Sequence, residues 1–200
     1  MAKVIGLTGG IASGKSTVTA FLREKGYQVI DADGVVHDLQ KKGGRLYQVL
    51  LEEFGPAILA ADGQLDRVKL GQQVFADSQL RARLSELQDQ IIRQELLARR
   101  DLLSQTEEVV FMDIPLLYEL DYSGEVDEVW LVYVDEHQQL ARLMARNGYS
   151  LQEAENRLAA QLSLEKKKER ADKVIDNSGS REATLAQVAS LVEEIGNGRG

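Results

Sequence analysis

The feature that most constrains the fold is the segment GLTGGIASGKST, residues 6–17. Gly9, Gly14, Lys15 and Ser16 match the spacing G-x-x-x-x-G-K-[ST]. The apolar, β-branched KVIGLT at its start predicts a buried strand, and STVTAFLREKG at its end predicts a helix. Strand, glycine loop and helix in this order form the context that the motif requires. The segment therefore indicates a phosphate-binding loop rather than a chance glycine-rich turn.

The chemistry of such a loop explains its residue types. Glycines let successive backbone N–H groups turn toward phosphate oxygens, and the helix N-terminus adds the positive end of its dipole. We expect Lys15 to reach the β and γ phosphates of a nucleotide and the Ser16 hydroxyl to bind Mg²⁺.

Length and composition limit the class of protein. A chain of 200 residues accommodates one α/β domain with an inserted subdomain. There is no cysteine, no apolar run long enough to span a membrane and no N-terminal secretory signal, which together predict a cytoplasmic protein. The net charge of −8 disfavours a general nucleic-acid-binding protein.

Apolar strands alternate with helices along most of the chain. We predict strands at 27–31, 108–113 and 128–134 and a short last strand within 172–179. We predict helices at 34–54 (interrupted near 41–44), 67–104, 136–148, 150–161 and 180–196. This alternation predicts a parallel sheet covered by helices on both faces. The helix-rich part at about 41–104 interrupts the alternation, so we interpret it as an insert at the strand ends, where ligands bind.

Three carboxylates lie at the C-terminal ends of predicted strands. Asp113 ends VVFMD, where P-loop enzymes often hold Mg²⁺, although an ordinary surface aspartate is the alternative. Asp31 and Asp33, in DADG, follow the second strand. We predict that Asp33 orients an acceptor hydroxyl and takes its proton, and that Asp31 has a structural role in a turn.

The loop IPLLYE, residues 114–119, contains one of two prolines and is either a substrate-pocket wall or core packing; Leu116 is its candidate substrate-binding residue.

Arginines in the C-terminal half suggest a lid. Arg142 and Arg146 lie four residues apart, so they share a helix face, and Arg157 follows on the next helix. Arginines over a transferred phosphoryl group offset its charge, and a mobile helical pair excludes water. A solvated charged face is the alternative, and we interpret the lysine run at 166–168 in that way.

Other features predict no separate site. His37 and His137 lack companions at metal-ligand spacing. Trp130 alternates within a strand and is assigned to the core. DADG and DYSG both fit the D-x-x-G pattern of GTPases, but no N-K-x-D element is present, which disfavours a GTPase.

Together these motifs resemble those of the dephospho-coenzyme A kinases. The similar segments are GLTGGIASGKST, VIDAD, FGPAILAADGQLDR, VFMDIPLLYE, RLMARNGYSLQEAENRLAAQ and ADKVIDNSG, in the family order from Val4 to Gly179. The phosphate loop is shared with many families, whereas DAD, DIPLLYE and ADKVIDNSG are more specific.

The resemblance implies a P-loop nucleoside triphosphate hydrolase-like fold with a three-layer core at about 1–40 and 105–200, a helical CoA-binding insert at about 41–104 and a lid at about 140–170. It implies phosphorylation of the ribose 3′-hydroxyl of dephospho-CoA by ATP with Mg²⁺, and we expect a monomer or weak homo-oligomer.

The residues that we expect to bind ATP are Gly9, Gly10, Ala12, Ser13, Gly14, Lys15, Ser16 and Thr17. The residues expected to bind the substrate are Thr8, Asp33, Asp113, Leu116 and Arg157. Those expected to act in catalysis are Lys15, Asp33, Arg142 and Arg146. The expected metal ligands are Ser16 and Asp113.

The chain departs from the family pattern at two places. Ala12 stands where the family usually has glycine, and we expect little damage provided that this residue keeps a negative φ. Asp89 and Gln90 stand where the family often has His-Pro, so the long helix is expected to continue without a break.

Two other functions stay open on the sequence. One is a P-loop kinase of another nucleoside or nucleotide, which a different acceptor preference would reveal. The other is a regulatory module that binds ATP without phosphorylating an acceptor; Asp33 and the arginine pair argue against it.

Overall fold

A five-stranded sheet organises the fold. The computed structural model describes residues 2–75 and 78–197. Its strands are β1 (Lys3–Gly9), β2 (Gln28–Asp31), β3 (Val109–Asp113), β4 (Glu128–Tyr133) and β5 (Lys173–Asp176), in the order β2-β3-β1-β4-β5. The pairs β1–β3, β1–β4 and β4–β5 are parallel. This arrangement confirms the prediction of a mainly parallel sheet.

Helices connect and cover the strands. They are α1 (Lys15–Glu24), α2 (Ala32–Gln40), α3 (Arg45–Phe54), α4 (Arg67–Phe75), α5 (Ser78–Leu103), α6 (Glu136–Asn147), α7 (Leu151–Ala159), α8 (Leu164–Lys168) and α9 (Arg181–Asn197). Short 3-10 helices span Gly55–Ile58 and Ser123–Glu125. The sequence did not predict the one-turn helix α8; the other helices agree with the predicted segments.

The core lies around the central strands, which are apolar toward both faces. Phe111 of β3 contacts Tyr27 and Trp130 edge-on, with ring centroids 5.5 and 5.4 Å away. Trp130 is fully buried, as predicted, and its indole N–H donates to Glu128. Each large side chain buried in this way stabilises the fold by about 1.5–3 kcal/mol, which holds the strand ends in fixed positions.

The chain divides into two compact units: Met1–Ile30 with Leu102–Gly200, and Asp31–Asp101. The first contains the sheet core. The second is helical and begins at Asp31, earlier than residue 41, where we expected the insert to start. A CoA-binding role for this unit stays a prediction.

Within the helical unit, α3 packs against α5. Leu46 and Leu50 of α3 are buried, and they line a small gap with Leu84 and Leu87 of α5. Helix α5 runs through Asp89 and Gln90 without interruption, as expected from the missing proline. Ala76 and Asp77, which fall within the predicted helical segment, lie outside the described residues.

The turn between α6 and α7 is fixed by its capping residues. Gly148 ends α6 in the left-handed conformation, with φ 69°. Ser150 and Glu153 then form the predicted capping box at the start of α7. The turn that joins α6 to α7 therefore has a defined geometry. Among the helices of the described ranges, none is long and apolar enough to cross a membrane.

Candidate active site

The glycine loop lies between the end of β1 at Gly9 and the start of α1 at Lys15. Gly14 has φ 89°, and a Cβ atom there would lie 2.0 Å from Nδ2 of Asn177. Only glycine is compatible with both constraints. Ser13 is buried, and its Oγ has no hydrogen-bond partner within the described residues. A buried hydroxyl without a partner fits a loop that receives an oxygen-rich ligand.

The conformation of Ala12 differs from our expectation. Its φ is 60°, in the left-handed region. The expectation of a negative φ was wrong, and the glycine usual at this position has a physical reason. A side chain in this conformation costs roughly 1–2 kcal/mol because Cβ approaches the following carbonyl oxygen.

Lys15 and Asp113 form the ionic centre of the site. Nζ of Lys15 pairs with Oδ1 of Asp113, and the Thr19 hydroxyl donates to Oδ2 at 3.0 Å. Asp113 is buried at the end of β3, next to β1 in the sheet. The structure thus brings together the two groups that the sequence placed on separate motifs, 98 positions apart.

The oxygen donors near this pair suit magnesium. Ser16 is exposed in the first turn of α1, and Asp113 supplies a carboxylate. Within residues 2–75 and 78–197, no group of three or more His, Cys, Asp or Glu side chains is arranged to hold a metal ion. Mg²⁺ usually needs only one or two protein ligands when phosphates and water supply the rest, so a hydroxyl and a carboxylate fit that requirement.

Asn177, which the sequence analysis did not single out as a site residue, anchors the glycine loop. Its Nδ2 donates to the Ser13 carbonyl and its Oδ1 accepts from the Thr184 hydroxyl, each at 2.8 Å. Nη2 of Arg142 donates to the Asn177 carbonyl at 2.9 Å. Arg142 is therefore joined to the loop through Asn177. Asn177 is part of the family-like segment ADKVIDNSG, but the segment alone does not show that this asparagine contacts Ser13.

Two glutamines hold the tip of the loop. Nε2 of Gln139 donates to the Ile11 carbonyl at 2.7 Å, and the Ile11 N–H donates to Oε1 of Gln161 at 3.0 Å. Gln139 is on α6, and Gln161 follows α7. The α6–α7 pair thus contacts the loop directly. Nothing in the local sequence distinguishes these glutamines from surface residues.

The interpretation of the lysine run as solvated surface was wrong for Lys167. Its side chain is fully buried and pairs with Glu119, with Nζ 2.9 Å from Oε1. Burial lowers the pKa of Lys167, the Glu119 carboxylate opposes that shift, and the positive charge of Lys15 adds to it. Lys166 and Lys168 are exposed, as expected.

The remaining predicted residues lie in different places. Thr8 is buried and its hydroxyl donates to the Pro115 carbonyl at 3.1 Å, while Leu116 is half-buried in the loop after β3.

Arg146 is exposed and donates to Asn147 at 2.8 Å. Arg157 is exposed and lies over the Tyr149 ring, 4.5 Å from its centroid. Asn147 ends α6 and Tyr149 lies in the turn between α6 and α7, so both contacts are local, and a lid role for these arginines stays a prediction.

Asp33 belongs to the helical unit, in the first turn of α2. Its backbone N–H donates to Oδ1 of Asp31 at 3.1 Å, so Asp31 is the N-cap of this helix. Asp31 thus has a structural role, as predicted, but as the cap of a helix rather than within a turn. The catalytic role of Asp33 stays a prediction.

A cavity of about 360 Å³ lies beside α6, α7 and α8. Aliphatic and polar side chains line it in equal number, and the polar ones include the carboxylates of Glu136, Glu155 and Glu165. Carboxylates repel a triphosphate, so this cavity does not suit the phosphates of a nucleotide. The glycine loop, with its buried Ser13 hydroxyl and the Lys15 ammonium, fits phosphate oxygens better.

Comparisons with known proteins agree with this geometry. The family model described as dephospho-CoA kinase matches residues 3–183. A dephospho-CoA kinase of Streptococcus agalactiae is 56% identical over 195 residues, covering 98% of this chain and all of that protein. The crystal structure of TT1252 from Thermus thermophilus is 34% identical, with TM-score 0.75 and coverage of 96% and 97%. The structure of dephospho-CoA kinase from Campylobacter jejuni is 26% identical, with TM-score 0.76 over the full length of both chains.

Proposed function

The chain belongs to the dephospho-CoA kinase family, and we propose that the glycine loop, Asp113 and Asp33 together carry out its reaction. That reaction transfers the γ-phosphoryl group of ATP to the ribose 3′-hydroxyl of dephospho-CoA and gives CoA and ADP, the last step of coenzyme A biosynthesis. The observation that carries the proposal is the Lys15–Asp113 pair beneath a glycine loop whose backbone turns at Ala12 and Gly14.

The loop supplies positioning and charge. Backbone N–H groups of residues 12–17 hold the phosphates, and Lys15 exchanges its carboxylate partner for phosphate oxygens. The hydrogen bond from Asn177 to the Ser13 carbonyl anchors the loop before ATP binds. Catalysis in such a site comes mainly from alignment and from stabilising the charge of the transition state.

The acceptor side of the site rests on Asp33. Its carboxylate aligns the 3′-hydroxyl and takes the proton as that oxygen bonds to the γ-phosphorus and the bond to the β-phosphate oxygen breaks. Arg142, next to the loop anchor, offsets the charge that develops on the transferred group. Arg146 and Arg157 remain candidates for a lid that excludes water. Thr8 and Leu116 are proposed to line the acceptor pocket.

We propose Ser16 and Asp113 as the protein ligands of Mg²⁺. When bound, the ion neutralises charge on the β and γ phosphates. The monomeric or weakly associated state and the cytoplasmic location stay predictions.

The deciding experiment measures ADP released from ATP and Mg²⁺ with dephospho-CoA as acceptor, with AMP and adenosine in parallel. We expect release only with dephospho-CoA, and CoA as the product by mass spectrometry. Release of ADP with AMP or adenosine instead would show that the protein is a kinase that acts on a different acceptor. Nucleotide binding without any acceptor-dependent release of ADP would show that the protein is a regulatory module that binds ATP.

A further inference from the structure

Lys167 is the least expected residue near the site, because lysine is almost never fully buried without compensating partners. Its Nζ lies 3.3 Å from the Gly9 carbonyl, 3.1 Å from the Pro115 carbonyl and 2.9 Å from Oε1 of Glu119. An ammonium group has three N–H donors, and these three acceptors match them in number. The side chain is thus bound in one position.

The three acceptors belong to segments that carry the chemistry. Gly9 ends β1 and opens the glycine loop, whereas Pro115 follows Asp113 by two residues in the loop after β3. Glu119 also accepts from the Leu162 N–H at 2.9 Å, in the segment that precedes α8. Lys167 therefore joins the loop that holds Lys15 to the loop that follows Asp113.

The contacts of the neighbouring lysines are of a different kind. Lys166 is exposed, and Lys168 lies over the Tyr133 ring with its Nζ 4.2 Å from the centroid. Only Lys167 among these three reaches the backbone at Gly9 and Pro115. Burying an ammonium is costly, and an apolar side chain of similar length would fill the same space without that cost. A positively charged donor at this place points to a role beyond packing.

We propose that Lys167 is a positioning residue for phosphoryl transfer, which fixes the Gly9 and Pro115 carbonyls so that Lys15 and Asp113 keep the spacing that the reaction needs. This inference rests on the proposed function. Its physical basis is the sensitivity of transfer to alignment, since a displacement of about 1 Å can cost roughly 10²-fold in rate. Lys167 itself contacts protein groups rather than the reacting atoms.

The test compares Lys167→Met with Lys166→Met, the same substitution at the exposed neighbour. We expect Lys167→Met to lower kcat by about 10- to 100-fold with the KM for ATP changed less than about threefold, because ground-state phosphate binding uses loop N–H groups that Lys167 does not contact. Lys166→Met should retain wild-type kcat and KM. A kcat for Lys167→Met equal to that of Lys166→Met would overturn the inference.

A second variant separates positioning from stability. Lys167→Met leaves the Glu119 side chain, which is only 19% exposed, without its ion-pair partner, so the variant is expected to be destabilised. The double variant Lys167→Met/Glu119→Gln removes that unpaired charge. We expect it to regain most of the lost thermal stability while kcat stays low. Recovery of kcat together with stability would show a purely structural role and overturn the inference.

Failure of the proposed function would be visible separately, because wild-type protein would then not phosphorylate dephospho-CoA. In that case the positioning role is tested by the rate of amide hydrogen exchange at residues 9–17, measured with ATP present in the double variant and in Lys166→Met. Faster exchange in the double variant than in Lys166→Met would support it. Equal exchange would overturn it.

Discussion

The ammonium group of Lys15, the first residue of α1, pairs with the carboxylate of Asp113, the last residue of β3. The sheet explains this contact. Strands β1 and β3 are parallel neighbours, and Leu7 lies opposite Asp113 in their register. The glycine loop therefore starts just beyond the level of Asp113, and the helix after it brings Lys15 back toward the carboxylate.

Lys15→Ala is expected to abolish turnover, because the substitution removes the cation that reaches the β and γ phosphates. Lys25→Ala is a suitable control, since Lys25 lies past the end of α1 over the Phe21 ring. The measurement is ADP release with dephospho-CoA at saturating ATP. Turnover in Lys15→Ala similar to that of Lys25→Ala would remove Lys15 from the mechanism.

Asp33→Asn is expected to lower turnover by roughly 10²–10⁴-fold and to leave ATP binding nearly intact, because an amide cannot accept the proton of the 3′-hydroxyl. Asp31→Asn is the matched control, since asparagine also caps helices and Asp31 is the N-cap of α2. Single-turnover kinetics and nucleotide titration measure both quantities. Normal turnover in Asp33→Asn would show that another group takes the proton.

Ala12→Gly is expected to stabilise the protein. Relief of the left-handed conformation at φ 60° outweighs the extra chain entropy of glycine in the unfolded state. The net gain should be about 0.5–1 kcal/mol in the free energy of unfolding, measured by urea denaturation. Ala20→Gly, on the exposed side of α1, should instead destabilise by about 1 kcal/mol. A loss of stability in Ala12→Gly would contradict the strain argument.

Asn177→Ala is expected to weaken both stability and ATP binding. It leaves the Ser13 carbonyl and the Thr184 hydroxyl without the amide that now joins them. An unsatisfied buried polar group costs about 1–3 kcal/mol, and the glycine loop loses its anchor. Thermal unfolding and nucleotide titration test this result. Ser178→Ala keeps the Asn177 amide in place and should leave ATP binding unchanged, although it removes the hydroxyl that hydrogen-bonds to Asp176.

The pKa of Lys167 predicts a pH dependence of stability. Burial lowers this pKa in the folded protein below its ordinary value of 10.5. Between the two values the unfolded chain binds more protons, so this residue makes the free energy of unfolding rise with pH. As the pH approaches 10.5 from below, urea denaturation should therefore show a smaller rise in the free energy of unfolding in Lys167→Met than in Lys166→Met. Identical slopes would indicate that the pKa of Lys167 is the same in both states.

The local features of the fold follow from the sequence because they depend on residues close together in the chain. The glycine spacing, the alternation of strands and helices and the Ser150–Glu153 capping box are all of this kind. The uninterrupted α5 also follows, since no proline interrupts it. These signals were sufficient to predict the parallel sheet and the phosphate-binding loop.

The glycine loop, the strand that ends at Asp113 and the family resemblance could all be predicted from the sequence. The side chains that support this loop could not, because they come from distant parts of the chain. Asn177 reaches Ser13 across 164 positions, and Lys167 reaches Gly9 across 158. Such contacts depend on the tertiary fold, which brings the residue after β5 and helix α8 to the loop after β1, although β4 separates β5 from β1 in the sheet. The charge pattern of a lysine run cannot reveal which lysine faces inward, since burial is set by what packs against it.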